Sequence, residues 1–494
     1  MNYQSTRGKI FASDTQAVLR GIAPDGGLFI DPDIKNIRFD WEKCLELDSL
    51  GMARMILSAL LPGYKNMDEL VRKAYTGKFQ TDDLTPLVPV GEDYVLELFR
   101  GPTSAFKDVA LSMLPQLMTA AREQEGIKDE TVILTATSGD TGKAALEGFH
   151  DVEGTKIIVF YPHNGVSAVQ KAQMVTQTGS NVKVCAVRGN FDDCQQGVKR
   201  AFAEINSRDL LKGSGMSLSS ANSINIGRLA PQVVYYFIAY TKLLRLGRIR
   251  RGDRVDYVVP TGNFGDILAG YFAKLMGLPV GMLVCASNAN KVLTDFLNTG
   301  VYDRRREFLR TSSPSMDILV SSNLERLLYL AADGDTGYVS ACMEALTRDG
   351  VYRVNEKVLR NIRRDFSAGC CDEAETEKTI GRVWEKYAYL CDPHTAVAFA
   401  VAEEYKRERQ GDAPVVVLST ASPYKFLAAV LKAIGGRTGG DEFEQMAALS
   451  ELTGVAVPKN LSGLRSREVL HKDVIEKDEM LNYILEYLKA KEVK

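Results

Sequence analysis

The sequence predicts an α/β protein with parallel sheets and more than one domain. From about residue 94 onward one arrangement recurs: a short β-rich run, a turn of small residues, then a helical stretch. The strand candidates are continuous apolar runs rather than alternating ones, which suits strands covered on both faces. At 494 residues the chain also exceeds what one hydrophobic core usually organises.

The elements follow in order. Residues 1–93 differ from the rest, with amphipathic helical patterns over residues 50–61 and 67–75 and a turn at Pro24-Asp25-Gly26-Gly27, and form a separate amino-terminal region. Four strand-to-turn units carry the pattern that comes next. Residues 94–99 run into Gly101-Pro102-Thr103, and residues 131–135 into Ser138-Gly139-Asp140-Thr141-Gly142. Residues 255–259 run into Gly262-Asn263-Phe264-Gly265-Asp266, and residues 415–418 into Ser419-Thr420-Ala421-Ser422. Residues 156–160, 182–187 and 282–285 are further buried-strand candidates. The segment from about 290 to 400 reads as mostly helical and highly charged, and the tail after Gly435-Gly436 as a helical appendage.

Composition excludes several function classes. Apolar residues make up 45% and charged residues 25%, and 61 basic against 63 acidic residues leave a formal charge of −2 with no long block of like charge. No nucleic-acid or membrane partner is expected. The opening residues hold no apolar run of signal-peptide kind, and no stretch approaches the roughly 20 apolar residues of a membrane span, so a cytoplasmic protein is expected. The eight cysteines include no C-x-x-C pair, and His150, His163, His394 and His471 sit at no metal-ligand spacing. No metal site is expected.

In a strand, turn and helix unit the turn sets backbone N–H groups and the positive end of the helix dipole at the carboxyl edge of the sheet, where anions bind. The nearest dinucleotide-like run, Gly213-Ser214-Gly215, lacks the third glycine and follows no convincing strand. The run ending at Lys143 imitates a nucleotide-binding P-loop. It fails twice, because Thr137 stands where the first glycine is required and Ala144 where Ser or Thr is. The most informative stretch is 96–108. Its Lys107 lies just after a turn, inside the first helical turn if Thr103 or Ser104 is the N-cap. A positive dipole and partial burial both disfavour the protonated amine, and such a lysine can form a Schiff base. A solvated lysine is the plain alternative, weakened by the flanking Leu98, Phe99 and Phe106.

The run Gly101-Pro-Thr-Ser-Ala-Phe-Lys107-Asp108 resembles the lysine motif of threonine synthases, pyridoxal-phosphate enzymes of the tryptophan-synthase-β-like class. Further blocks agree in order: Thr135-Ala-Thr-Ser-Gly-Asp-Thr-Gly142, Ser220-Ala-Asn-Ser-Ile-Asn-Ile-Gly-Arg228 and Pro260-Thr-Gly-Asn-Phe-Gly-Asp266. Gly21-Ile-Ala-Pro-Asp-Gly-Gly-Leu28 and Asp392-Pro-His-Thr-Ala-Val397 also look like family sequence, and the likeness covers about residues 1–435.

The resemblance implies two open, mostly parallel sheet domains with flanking helices and pyridoxal 5'-phosphate in the cleft between them. The large cofactor-binding domain would comprise residues 94–127 and 240–435, and a small substrate-closing domain residues 128–239. Residues 1–93 would be the amino-terminal region and 436–494 a helical extension. Lys107 would hold the cofactor and then act as the base at the substrate's α-carbon. Gly262, Asn263, Phe264, Gly265 and Asp266 would cradle the cofactor phosphate; a tight turn alone would explain the glycines but not Asn263. Thr420 would face the pyridine nitrogen, where the residues alone read as a helix N-cap.

Ser138, Asp140 and Thr141 would hold the substrate carboxylate. Asn222, Asn225 and Arg228 would hold a substrate phosphate, with a surface salt bridge an equal reading for Arg228. Lys143 is given no role, and His394 reads as structural. The implied reaction converts O-phosphohomoserine and water into threonine and phosphate. A deaminase of the same cofactor class would have no use for the second phosphate site. A monomer and a homodimer both remain open.

Overall fold

Valine, isoleucine and leucine fill the runs expected to be strands, and their branched side chains favour extended backbone packed on both faces. In the computed structural model, which describes residues 2–409 and 411–492, these runs form two parallel sheets. The larger has six strands, in the spatial order Phe366–Cys370, Val280–Ser287, Val255–Pro260, Val415–Ser419, Asp93–Glu97 and Leu87–Val90, and only the last pairs antiparallel. The smaller has five parallel strands, in the order Val474–Glu476, Val182–Arg188, Thr155–Pro162, Glu130–Ala136 and Met216–Ser219. Every expected strand is present, lengthened or shifted by one or two residues.

Four differences from the sequence reading have physical causes. The tail is not purely helical: its strand Val474–Glu476 pairs with Val182–Arg188 and closes an edge of the small sheet. Helix Met480–Glu492 then lays Met480, Ile484 and Leu488 against helix Phe191–Ser207 and that sheet. A three-residue strand among charged residues gives no periodic signal. The amino-terminal region holds, besides helices Ser49–Leu60 and Met67–Tyr75, a sheet of Asn2–Ser5, Phe11–Ser13 and Phe29–Ile30. The segment 290–400 likewise contributes strand Phe366–Cys370, whose sequence FSAGC has no apolar run.

The fourth concerns the junction between the sheets. Helix Ile226–Arg245 runs unbroken through residues 239 and 240, so one element spans the expected boundary there. It packs against helices Lys107–Glu125, Gly265–Leu275 and Ser49–Leu60. This gives the two sheets and the amino-terminal region one shared apolar core. The carboxyl ends of strands from both sheets thereby face a common cleft. Among the described residues no helix is long and apolar enough to cross a membrane, and no group of His, Cys, Asp and Glu could hold a metal.

Candidate active site

Lys107 is the first residue of helix Lys107–Glu125, and Phe106 occupies the N-cap position without a side-chain cap. Neither Thr103 nor Ser104 caps it. Ser104 instead takes a left-handed conformation, φ 60°, inside a turn that strand residue Ser419 and Thr420 hold from the other side. Phe106 N–H donates to the Thr420 carbonyl at 2.8 Å, and Ser422 N–H to the Ser104 carbonyl at 3.1 Å. This places Lys107 beside Thr420. The cap of the turn after that strand is Ser422, which accepts from Tyr424 N–H, so Thr420 is not the N-cap and lines the cavity instead.

A cavity of about 400 Å³ opens at the strand ends, lined by Lys107, Ser138, Thr141, Asn222, Arg228, Gly262, Asn263, Gly265, Asp266 and Thr420. Ten of the expected site residues thus meet in one place. Lys107 is buried, and its amine is pushed down to about 8 by that burial, with the charges of Lys425 and Arg228 adding to the effect and Asp140 and Asp266 opposing it. Its Nζ donates to Ser315 Oγ at 3.3 Å. Ser315 is held in turn, because its N–H donates to His394 Nε2 at 3.2 Å while His394 Nδ1 lies 2.6 Å from Asp392. His394 therefore orients the serine that meets the lysine, which agrees with a structural role.

The turn after strand Val255–Pro260 is shaped to receive an anion. The Gly262 carbonyl accepts from Ser321 Oγ at 2.8 Å, and the Asn263 carbonyl accepts from Asn323 N–H and Nδ2, both at 3.0 Å. With these carbonyls tied on the outside, the start of helix Gly265–Leu275 borders the cavity, its Ile267 N–H being held by Asp266 Oδ1 at 2.9 Å. A Cβ on Gly265 would stand in that space, meeting only Asn323 Nδ2 at 3.6 Å and Gln232 Nε2 at 3.7 Å. Both neighbours are amide donors. Gly262 is needed for another reason, since a Cβ there would come within 2.5 Å of the Ser315 carbonyl.

Arg228 is buried and lines the cavity. Its Nη1 donates to the Ala221 carbonyl at 2.9 Å, its Nε is buried without a partner, and burial pulls its pKa down to about 10. No carboxylate pairs with it among the described residues, so the surface salt-bridge reading does not hold.

Three expected residues do not present their side chains to the cavity. Asn225 caps helix Ile226–Arg245: its Oδ1 accepts from Gly227 N–H at 2.8 Å and its Nδ2 donates to the Val18 carbonyl at 2.8 Å. Both ends are consumed. Asp140 pairs with Lys425 at 2.6 Å and accepts from Gln170 at 2.8 Å. Burial opposes its ionisation, yet Lys425 and Lys107 hold it well below the usual carboxylate range. The Phe264 ring packs on Phe366, centroids 5.7 Å apart, and only its backbone belongs to the turn. Lys143 pairs with Glu147 and Gln177, away from this cavity, which ends the P-loop comparison.

Sequence reading missed Ser315, Asn323, Lys425 and the trio Phe191, Gln195 and Lys199. That trio recurs every fourth residue on helix Phe191–Ser207 and lines one wall of the cavity. Its spacing was a legible signal. Ser315 and Asn323 sit in irregular chain and carried none.

With this geometry established, comparison with known proteins is direct. Residues 85–421 match the family described as pyridoxal-phosphate dependent enzyme, and residues 395–480 the threonine synthase C-terminal family. The chain is 36% identical to threonine synthase of Saccharomyces cerevisiae, with 96% of this chain and 98% of that protein covered. The chain belongs to the threonine synthase family of pyridoxal-phosphate dependent enzymes. A pyridoxal-phosphate-bound threonine synthase from Brucella melitensis superposes with a TM-score of 0.85 at 39% identity, covering 99% of each chain. The chain is also 38% identical to threonine synthase-like 1 of Macaca fascicularis over 87% of its own length, and spans 59% of that longer protein.

The cofactor of this family is pyridoxal phosphate, and the residues present fit it. A buried amine with a lowered pKa, a turn whose glycine leaves room among amide donors, and the neutral hydroxyl residue Thr420 stand around one cavity. Lys107 would carry the cofactor, residues 262–266 its phosphate, and Thr420 its ring nitrogen.

Proposed function

We propose that this member of the threonine synthase family converts O-phospho-L-homoserine and water into L-threonine and phosphate. The observation that carries the reading is Arg228, a buried guanidinium without a carboxylate partner on the wall of the cavity that holds Lys107. The turn 262–266 already serves one phosphate. An uncompensated cation in the same cavity has a use when the substrate brings a phosphate of its own.

Bound pyridoxal phosphate supplies the electron sink for charge developing on the substrate's carbons. The chain's own residues do the rest. Lys107, neutral over a useful fraction near neutral pH, takes the proton from Cα and returns protons later, while Ser315, held by His394 and Asp392, keeps its Nζ in place. Ser138 and Thr141, at the start of helix Asp140–Phe149, receive the substrate carboxylate. Arg228 and Asn222 bind the phosphate and stabilise its charge as the Cγ–O bond breaks. A Cβ proton is lost as the electrons of the Cγ–O bond leave with phosphate, Cγ gains a proton to become the methyl group, and the oxygen of water then bonds to Cβ while Cα is reprotonated.

Asp140 and Asn225 support this arrangement from behind. The ion pair Asp140–Lys425 joins helix Asp140–Phe149 to the turn after strand Val415–Ser419, and Lys425 also donates to the Thr103 carbonyl at 3.2 Å. Asn225 fixes the start of the helix that carries Arg228.

The test is to incubate purified holoenzyme with O-phosphohomoserine and follow phosphate, threonine and 2-oxobutanoate together. Equal release of phosphate and threonine with no keto acid is expected. Keto acid in place of threonine would make the protein a deaminase.

A further inference from the structure

A second cavity, of about 730 Å³, shares no lining residue with the one that holds Lys107. It is an open cleft bordered by residues 77–81, the carboxyl-terminal tail, the helices Asp140–Phe149 and Ala168–Val175, and the loop that leads to Lys107. A cavity of this size accommodates a metabolite-sized ligand.

Its charge is lopsided. Lys78, Arg100, Lys143, Lys459 and Arg467 line it, against the single carboxylate of Glu147. Arg100 is paired with Glu97 at 2.6 Å and Lys143 with Glu147 at 2.9 Å. That leaves Lys78, Lys459 and Arg467 with no ion pair among the described residues. The surplus favours an anion with more than one charge.

The cavity also reaches the loop that leads to Lys107. Gln173, 2% exposed, lies on its wall. The same side chain donates from Nε2 to the Thr103 carbonyl at 3.4 Å. From the tail, Asn460 Nδ2 donates to the Pro102 carbonyl at 2.8 Å and to Ser104 Oγ at 2.9 Å. The walls of the cavity therefore grip the turn that ends at Lys107.

We propose that this cavity is a second ligand site, which takes a small, multiply charged organic phosphate, and that its occupancy steadies the loop leading to Lys107. Phosphate oxygens meet Lys78, Lys459 and Arg467. The tail would then connect effector and active site through Asn460.

The experiment uses the holoenzyme in low-salt buffer, with fructose 1,6-bisphosphate as probe, fructose as uncharged control and calorimetry as readout. Fructose 1,6-bisphosphate should bind and fructose should not. The double variant K459E/R467E, which alters two exposed tail residues, should weaken binding at least tenfold while keeping its bound cofactor and basal turnover. Arg228→Ala should leave this affinity within twofold, which separates the site from the substrate-phosphate site. On binding, amide exchange of residues 100–107 should slow at least threefold. Absence of binding, undiminished binding in K459E/R467E, loss of binding in Arg228→Ala, or unchanged exchange in the loop would each overturn the proposal.

Discussion

Taking a guanidinium out of water without a counter-charge costs several kcal/mol, so Arg228 is retained at the expense of stability. That gives its removal two opposite signatures. Arg228→Ala should lower kcat/KM for O-phosphohomoserine roughly ten- to a hundredfold, because a charge-assisted contact is worth about 1.5–3 kcal/mol. The melting temperature should hold or rise, and cofactor absorbance should be unchanged. A folded variant that keeps its cofactor and wild-type kcat/KM would assign the phosphate to another residue, and Lys199 on the facing helix would be next.

Lys107 yields a prediction in pH. Burial pushes its amine down to about 8 from an ordinary value of 10.5, so the neutral, nucleophilic form grows as pH rises through about 8. The rate at which apoenzyme captures pyridoxal phosphate should rise from pH 6.5 and level off above pH 9, as read by absorbance. The linked stability has the same sign. Between about 8 and 10.5 the unfolded chain holds the proton that the folded chain has lost, so apoenzyme stability gains with pH in that window. Lys107→Met should abolish both dependences, and a capture rate flat in pH would mean that the amine is already neutral at 6.5.

At the scale of elements, the strand-turn-helix unit explains why so much of the site was legible. Four turns were placed from their strands, and all four border the cavity or the Lys107 loop. What sequence could not separate was a side chain that binds from one that caps. Asn225 and Thr420 are both short polar residues before a helix or turn; Asn225 proved to be the cap and Thr420 the lining residue, because Ser422 caps instead. Local spacing is the same in both cases, and only the neighbouring chain decides.

The turn 262–266 carries the next prediction. Gly265 has no left-handed backbone requirement, and its Cβ would clash with nothing in the protein. Gly265→Val should therefore fold, yet occupy the space that the cofactor phosphate needs. Cofactor retention on dialysis should fall at least tenfold, with the melting temperature of the apoenzyme within a few degrees of wild type. Retention at the wild-type level would move the phosphate elsewhere.

At the scale of the molecule, the tail was the least legible part. A strand of three residues and a helix with one apolar stripe look like an appendage in sequence, because their partners, Val182–Arg188 and Phe191–Ser207, lie nearly 300 residues earlier. In the fold the tail does two things. Between residues 456 and 467 it grips the Lys107 loop, and from Val474 onward it closes the small sheet. Removing the latter part exposes a strand edge and uncovers the apolar face of a helix that also lines the active-site cavity through Phe191, Gln195 and Lys199.

Met480, Ile484 and Leu488 are each buried, and each contributes about 1.5–3 kcal/mol by removal from water. Truncation after Lys472 should thus destabilise the small-sheet half by several kcal/mol, comparable to the whole margin of an ordinary domain. The expected result is an early thermal transition that bound pyridoxal phosphate does not report, since Lys107 and the turn 262–266 belong to the large sheet. The loss of activity should exceed the loss of cofactor, because the substrate side of the cavity rests on the small sheet. The single substitution Ile484→Ala, at about 2–5 kcal/mol, should reproduce the shift in smaller measure. If the truncated protein melts in one transition at the wild-type temperature and turns over normally, the tail beyond residue 472 has no part in holding the site.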